Sequence, residues 1–116
     1  MAAAKRAIAF CVAMMPATVM AQTLAERLDQ LGAVPCTDSA LTCVTLPMPR
    51  DHDDPSAGTI DITFGVRLAG GESQAVMFFS TGGPGTAGLA LADGYLDPVA
   101  PEMLEAVDFV FFDKRG

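Results

Sequence analysis

Basic residues are scarce in this sequence. It carries 7 Lys and Arg against 14 Asp and Glu, which gives a formal net charge of −7. Nucleic acids and anionic membranes are bound by clustered Lys and Arg, so this balance argues against both as partners. The charge does not name a substrate.

Histidine is scarcer still, with His52 as the single example. It stands among the carboxylates Asp51, Asp53 and Asp54, but no second histidine or cysteine lies near it to complete a metal site. We therefore expect no metal and no cofactor. The segment is predicted to be a polar loop in which His52 is solvated and the aspartates form turns.

The N-terminus has the pattern of a secretory signal peptide. Lys5 and Arg6 precede an apolar run over residues 7–20, and cleavage is expected between Ala21 and Gln22. The run is too short for a comfortable membrane span, so we expect an exported protein, periplasmic or secreted, with no stable span after cleavage.

Cys11 leaves with the signal peptide, and Cys36 and Cys43 remain. An even pair in an exported protein most simply forms one disulfide. A metal or redox pair would need CxxC-like spacing or a nearby histidine, and neither is present.

Hydrophobic periodicity predicts a short amphipathic helix within residues 23–31, ended by Gly32. A strand at residues 44–46 is expected to end at Pro47 and Pro49. Alternation over residues 60–66 then predicts a half-buried antiparallel partner. The remaining predicted elements are buried strands at residues 75–79 and 107–112, joined by short helices around residues 89–92 and 102–106. Strand, helical connection and strand make a βαβ unit with a parallel pair.

The strand at residues 75–79 is followed by a glycine-rich loop, Ser80-Thr-Gly-Gly-Pro-Gly-Thr-Ala-Gly88. Open α/β sheets bind ligands at the carboxyl ends of their strands, and glycines let a ligand oxygen approach the main chain. Two chemistries fit such a loop.

The first chemistry is dinucleotide binding. Residues 83–88 match GxGxxG, and Asp113 follows the next strand, where a ribose-binding acid would lie. Against it, Gly94, Pro98 and Pro101 should break the crossover, whereas that fold needs an unbroken helix. A phosphate-binding P-loop is weaker, because no Lys-Ser/Thr pair follows the glycines.

The second chemistry is an oxyanion hole, in which backbone N–H groups receive the negative charge of an acyl-transfer intermediate. In α/β-hydrolases one donor comes from the loop after the third strand. Counting the predicted strands at residues 44, 60 and 75, the glycine loop follows the third.

Three ordered segments resemble one family. Gly82-Gly-Pro-Gly85 resembles the HGGPG loop of prolyl aminopeptidases and the related secreted tripeptidyl aminopeptidases, and residues 108–116 resemble their strand ending in D-x-R-G. Residues 43–51, followed by Asp54-Pro55, are similar to a cysteine–strand segment of the secreted members. Together the matches span residues 43–116.

The resemblance implies an α/β-hydrolase fold and a serine peptidase that releases short units or prolyl residues from peptide N-termini; related esterases share these features. By position, Gly83 would supply the oxyanion N–H, beside Gly82. The resemblance further assigns four loop positions. Pro84 would follow a cis peptide in the turn that includes Gly85, Thr81 stands where many members have His, and Asp113 and Arg115 would pin loops near the active-site floor.

The family mechanism needs a Ser on a GxSxG elbow, then an acid, then a His. No GxSxG occurs here, and His52 precedes the central strands, in the wrong chain order. The expected fold class is α/β, the N-terminal part of an α/β-hydrolase fold with an antiparallel strand pair and then βαβ, incomplete as given. The expected parts are a signal peptide (1–21), a helix and disulfide loop (22–40) and the start of the hydrolase domain (41–116).

We therefore expect the N-terminal portion of an exported serine hydrolase, whose full-length form acts on a peptide or a small ester or amide. The portion itself is expected to be inactive alone. The alternatives are a dinucleotide-binding domain and a non-catalytic gene remnant.

Overall fold

The computed structural model of the chain describes residues 22–83 and 85–114. The predicted signal peptide, Cys11 within it, and the site positions Pro84 and Arg115 lie outside the described residues. The helices and strands in chain order are α1 (Leu24–Gln30), β1 (Val34–Pro35), β2 (Thr42–Pro49), β3 (Thr59–Arg67), β4 (Ala75–Phe79), α2 (Ala92–Leu96), α3 (Pro101–Ala106) and β5 (Val107–Phe112), with 3-10 turns at Pro55–Ala57 and Leu89–Leu91.

The strands form one mixed five-stranded sheet in the order β1-β2-β3-β5-β4. The β1–β2, β2–β3 and β3–β5 pairs are antiparallel, and β4–β5 is parallel. The predicted antiparallel pair and the predicted parallel pair joined by a helical crossover are both confirmed. The fold is therefore of mixed α/β type.

Helix α1 begins and ends on strong local signals. The Thr23 hydroxyl accepts the Glu26 N–H at 3.2 Å and the Glu26 carboxylate accepts the Thr23 N–H at 2.9 Å, which is a reciprocal capping box. Gly32 adopts a φ of +73°, and the N–H of Ala33 donates to the Leu28 carbonyl at 3.1 Å, as in a Schellman C-terminus. The predicted helix and its glycine stop are confirmed.

Strand β5 contributes side chains to two apolar clusters, one on each face of the sheet. Successive side chains of a strand face opposite sides of the sheet, so Val110 and its neighbour Phe111 belong to different clusters. The cluster that contains α1 has Leu28, Val44, Val66 and Val110 as its buried members. The cluster that contains α2 has Leu41, Ala92, Phe109 and Phe111. The prediction of a buried strand at residues 107–112 is confirmed.

The prediction of a buried strand at residues 75–79 is wrong in its burial. Those residues form β4, but Val76 is 48%, Met77 39% and Phe78 66% exposed. Strand β4 is at the edge of the sheet in the described structure, with β5 as its one partner there. Apolar composition identified a strand, but burial also requires a neighbouring strand or a covering layer.

Pro47 does not end its strand, which is a second correction, whereas Pro49 is the last residue of β2. Strand β2 continues to Pro49 and pairs with β3 along its whole length, through Pro49 opposite Thr59. The two-residue β1, which the sequence did not predict, covers β2 only at Thr42 and Cys43. The prolines therefore lie on an edge portion, where a missing N–H leaves no ladder bond unmade.

The helical crossover from β4 to β5 is interrupted, as predicted. Two of the three predicted positions interrupt it, and the third does not. Helix α2 ends at Leu96, before the Asp97-Pro98 pair, and Pro101 is the first residue of α3. Proline is tolerated at a helix start because its missing N–H would have no intrahelical acceptor there. Gly94 lies inside α2 and does not break it.

The predicted disulfide is confirmed. Cys36 and Cys43 are bonded, with a Cα–Cα distance of 4.9 Å. The bond links the residue after β1 to the second residue of β2, and the Cys36 N–H also donates to the Leu41 carbonyl at 2.9 Å. Together these contacts close the short loop between the two strands.

Candidate functional site

The glycine loop and the tail of β5 meet at one edge of the sheet. Strands β4 and β5 are parallel, and Phe79 at the end of β4 is in register with Phe111. The residues that follow the two strands, 80–88 and 113–114, therefore emerge side by side. This is the edge at which open α/β sheets bind ligands. The sequence predicted that the glycine loop follows the third strand. In the structure it follows the fourth, because the two-residue strand β1 precedes β2. The predicted count holds only if β1 is left out.

Two residues of the loop adopt left-handed backbone conformations. Gly83 and Gly85 each have a φ of +73°, which glycine adopts without the penalty that a Cβ imposes. Gly82, Gly83 and Gly85 are all exposed. The loop thus presents bare main chain to solvent at this edge.

The amides of this exposed main chain are unengaged within the described part of the protein. Among residues 22–83 and 85–114, no acceptor pairs with the backbone N–H of Gly82 or of Gly83. A pair of neighbouring free N–H groups is the kind of donor set that binds an anion or a developing oxyanion. The predicted oxyanion donors are therefore available for a ligand.

The far end of the loop is fixed against β5. The carboxylate of Asp113 accepts the Leu89 N–H at 3.0 Å. Gly88 passes so close to the strand that a Cβ built on it would collide with the Phe112 carbonyl oxygen. Asp113 thus holds a loop at the strand edge, and its place near an active-site floor stays a prediction.

The near end of the loop is fixed by a residue that the sequence analysis did not single out. The ammonium of Lys114 donates to the carbonyl oxygen of Thr81. Thr81 itself is only 3% exposed, and its hydroxyl has no hydrogen-bond partner within the described residues. The glycine loop is therefore tied at both ends to two consecutive residues, Asp113 and Lys114.

The polar segment between β2 and β3 is built from local turns, as predicted. Asp51 accepts the Asp53 N–H at 2.9 Å, and Asp54 caps the 3-10 turn by accepting the Ser56 N–H at 2.9 Å and its hydroxyl at 2.5 Å. These two hydrogen bonds hold the pKa of the Asp54 carboxyl below its ordinary value. The bond from the Ser56 hydroxyl has the larger effect, and the bond from the Ser56 N–H has the smaller one. His52 is exposed.

His52 nevertheless lies near the candidate site. It lines a cleft of about 240 Å³ with Asp113 and Lys114 at its polar end. The apolar wall of that cleft consists of Met48, Ile62, Phe64 and Phe112. The cleft is smaller than the sites that hold drug-sized ligands, and it would admit a single side chain or ring.

A larger cleft of about 860 Å³ lies where α1 approaches the connection between β3 and β4, and none of its lining residues belongs to the glycine loop. Its buried carboxylate, Asp108, accepts the Ala69 N–H and the Ser73 hydroxyl, each at 2.7 Å. Both bonds hold the β3–β4 connection, so Asp108 has a structural role. We place the candidate site at the glycine loop, where donors are free.

The crossover geometry disfavours dinucleotide binding. A pyrophosphate is held at the N-terminus of a long helix that begins directly after the glycines. Here a 3-10 turn of 3 residues, Leu89–Leu91, follows the loop, and α2 and α3 have 5 and 6 residues. Asp113, the candidate ribose-binding acid, is instead bonded to the Leu89 N–H.

No family model and no curated protein matches this chain. Among the helices that the structure describes, none is long and apolar enough to cross a membrane. Within residues 22–83 and 85–114, no group of three or more His, Cys, Asp or Glu side chains could hold a metal ion.

Lys114 is the site residue that sequence reasoning missed. A lysine two residues after the end of a buried strand is expected to be solvated, and its partner Thr81 is 33 residues away. The available signal was positional, because Lys114 follows β5 at the edge where the predicted parallel neighbour enters the glycine loop. The position of Lys114 in the sequence does not indicate that its ammonium donates to the Thr81 carbonyl.

Proposed function

We propose that this chain supplies the oxyanion-binding loop of an exported serine hydrolase with an α/β-hydrolase fold. The observation that carries the proposal is the pair of exposed, unengaged N–H groups at Gly82 and Gly83, at the carboxyl edge of the parallel strand pair. Such donors stabilise the negative charge that forms on a carbonyl oxygen during acyl transfer.

The reaction class follows from the resemblance in the sequence. The GGPG segment and the strand that ends in Asp113-Lys-Arg-Gly116 are similar to those of prolyl and secreted tripeptidyl aminopeptidases. We therefore infer that the substrate of the whole gene product is a peptide with a free N-terminus, and that related small esters or amides are also accepted. The loop would receive the carbonyl oxygen of the bond that is cleaved.

The test uses the protein as its gene encodes it in full. The purified product should react with a fluorophosphonate serine probe and hydrolyse chromogenic aminoacyl or short peptidyl substrates. Gly83→Ala should lower kcat about 100- to 1,000-fold, the loss that follows removal of an oxyanion donor. The added Cβ would strain a backbone whose φ is +73° and would meet the Thr86 hydroxyl at 3.0 Å, so we expect the Gly83 N–H to move from its position.

Gly58→Ala is the matched control. Gly58 also has a positive φ, +81°, but no atom lies within 4 Å of its added Cβ, and it belongs to the β2–β3 connection. Both variants carry backbone strain, and only Gly83→Ala should lose activity. Equal kcat values for the two variants, or a product that neither labels nor hydrolyses, would count against the proposal.

A further inference from the structure

Lys114 acts on the peptide group that contains one of the candidate donors. The carbonyl oxygen that accepts the Lys114 ammonium belongs to Thr81, and the N–H of the same peptide group belongs to Gly82. No cis peptide bond occurs within the described residues. In a planar trans peptide the C=O and N–H bonds point in opposite directions. Holding the Thr81 oxygen towards Lys114 therefore directs the Gly82 N–H away from it.

The bond also affects how strongly that N–H can donate. A cationic donor on a carbonyl oxygen polarises the peptide group, and hydrogen bonds in a chain strengthen one another. The Lys114 charge thus makes the Gly82 N–H a better donor to an anionic oxygen. An apolar side chain at position 114 would provide neither the orientation nor the polarisation.

The other contacts of the loop fix it without involving this peptide group. Asp113 holds the Leu89 N–H at 3.0 Å, and Gly88 packs against the Phe112 carbonyl. These contacts position the far end of the loop. Orientation of the first donor is left to Lys114.

We propose that Lys114 is a positioning residue, which orients and polarises the Gly82 N–H through the Thr81 carbonyl. Its effect on a reaction rests on the proposed hydrolase function. The hydrogen bond and its effect on the peptide group do not, and they can be measured separately.

The first experiment is carbon-detected NMR of the uniformly labelled 116-residue chain. A carbonyl carbon moves upfield when its oxygen loses a hydrogen bond. In Lys114→Met, the Thr81 carbonyl carbon and the Gly82 amide nitrogen should shift, and Lys114→Arg should restore both, because guanidinium also donates to carbonyl oxygen.

Arg67→Met is the matched control. The Arg67 guanidinium donates to the Leu104 carbonyl at 2.7 Å, so this variant also removes a cation from a carbonyl oxygen. It should move the Leu104 carbonyl carbon and leave Thr81 unchanged. If Leu104 responds in Arg67→Met while Thr81 does not respond in Lys114→Met, the proposal is wrong.

The second experiment measures kinetics on the whole gene product. Lys114→Met should lower kcat about 10- to 100-fold with little change in KM, because the weakened interaction is made in the transition state. Lys114→Arg should recover most of the loss. An active hydrolase whose kcat is indifferent to Lys114→Met overturns the positioning role. A wild-type product without hydrolase activity overturns the proposed function instead, and the carbonyl shift then decides the role of Lys114 alone.

Discussion

At the scale of single residues, Gly88 is the position where the glycine loop comes closest to β5. A Cβ there would overlap the Phe112 carbonyl oxygen, which is backbone and cannot turn aside. We expect Gly88→Ala to lower the free energy of unfolding by about 1–3 kcal/mol, the usual cost of overpacking. Urea unfolding followed by far-UV circular dichroism measures the change.

Gly82→Ala is the control for that prediction. Gly82 lies in the same loop and is exposed, and no atom is within 4 Å of its added Cβ. Its effect on stability should stay within about 0.5 kcal/mol, as for surface substitutions in general. Similar unfolding midpoints for the two alanine variants would show that the loop does not pack on β5 as described.

The residues of the candidate site were predictable to different degrees. The glycines were identified because they lack a Cβ and let a ligand oxygen approach the main chain. The structure adds that Gly83 and Gly85 have a left-handed backbone. Contacts across the fold were not readable in this way. The Lys114–Thr81 bond joins two residues whose types do not require each other, and only the β4–β5 register brings them together.

At the scale of elements, the disulfide fastens β1 to β2. Reducing it, or replacing both cysteines by Ser, releases the loop between Cys36 and Cys43 in the unfolded chain. We expect a loss of about 2–3 kcal/mol in unfolding free energy from the chain-entropy estimate for a loop of this size. Urea unfolding with and without reductant measures it. An unchanged midpoint after verified reduction would contradict the expectation.

The 3-10 turn at Pro55–Ala57 gives a prediction about pH. Hydrogen bonds from Ser56 lower the pKa of Asp54 in the folded state, so the bonds stabilise the fold above the ordinary carboxyl pKa. That stabilisation is lost as the pH falls through the lowered folded pKa. Ser56→Ala should raise the pKa of Asp54 towards its ordinary value, since the hydroxyl is the larger cause.

Carboxyl-carbon NMR titration of Asp54 measures this shift. Ser73→Ala is a suitable control, because the Ser73 hydroxyl donates to Asp108 rather than to Asp54. It should leave the Asp54 midpoint unchanged. If the midpoint is the same in Ser56→Ala as in the wild type, the Ser56 hydroxyl is not a cause of the lowered pKa.

The elements themselves show which sequence signals were sufficient. Helix α1 was predictable because its cap, periodicity and glycine stop are all local. The burial of β4 was not predictable, because it depends on the strand order and on what covers the sheet. Proline was misjudged in β2 for the same reason, since its cost depends on whether the strand has a neighbour on that side.

At the scale of the whole molecule, strand order determines what the chain can present. Placing β5 between β3 and β4 leaves β4 at an edge of the described sheet and puts the glycine loop beside the β5 tail. The loop can therefore be held by Asp113 and Lys114 while the N–H groups of Gly82 and Gly83 have no acceptor among the described residues. Under the proposed function these features preorganise the oxyanion donors, and no GxSxG nucleophile accompanies them in the given sequence.

The last prediction concerns the 116-residue chain as a catalyst. Oxyanion donors stabilise the charge that develops as a nucleophile attacks, so they need a nucleophile to act with, and no GxSxG segment occurs in this sequence. His52 is exposed, and among the described residues it makes no hydrogen bond to a serine or a carboxylate that would form a catalytic triad. Without a complete triad, acceleration over water is at most about 1,000- to 10,000-fold, which is too little to detect for an amide. The pure chain should therefore show no turnover of chromogenic aminoacyl or short peptidyl substrates above the buffer rate. Turnover that a serine-directed inhibitor abolishes would contradict this, and it would mean that the described residues contain a nucleophile of their own.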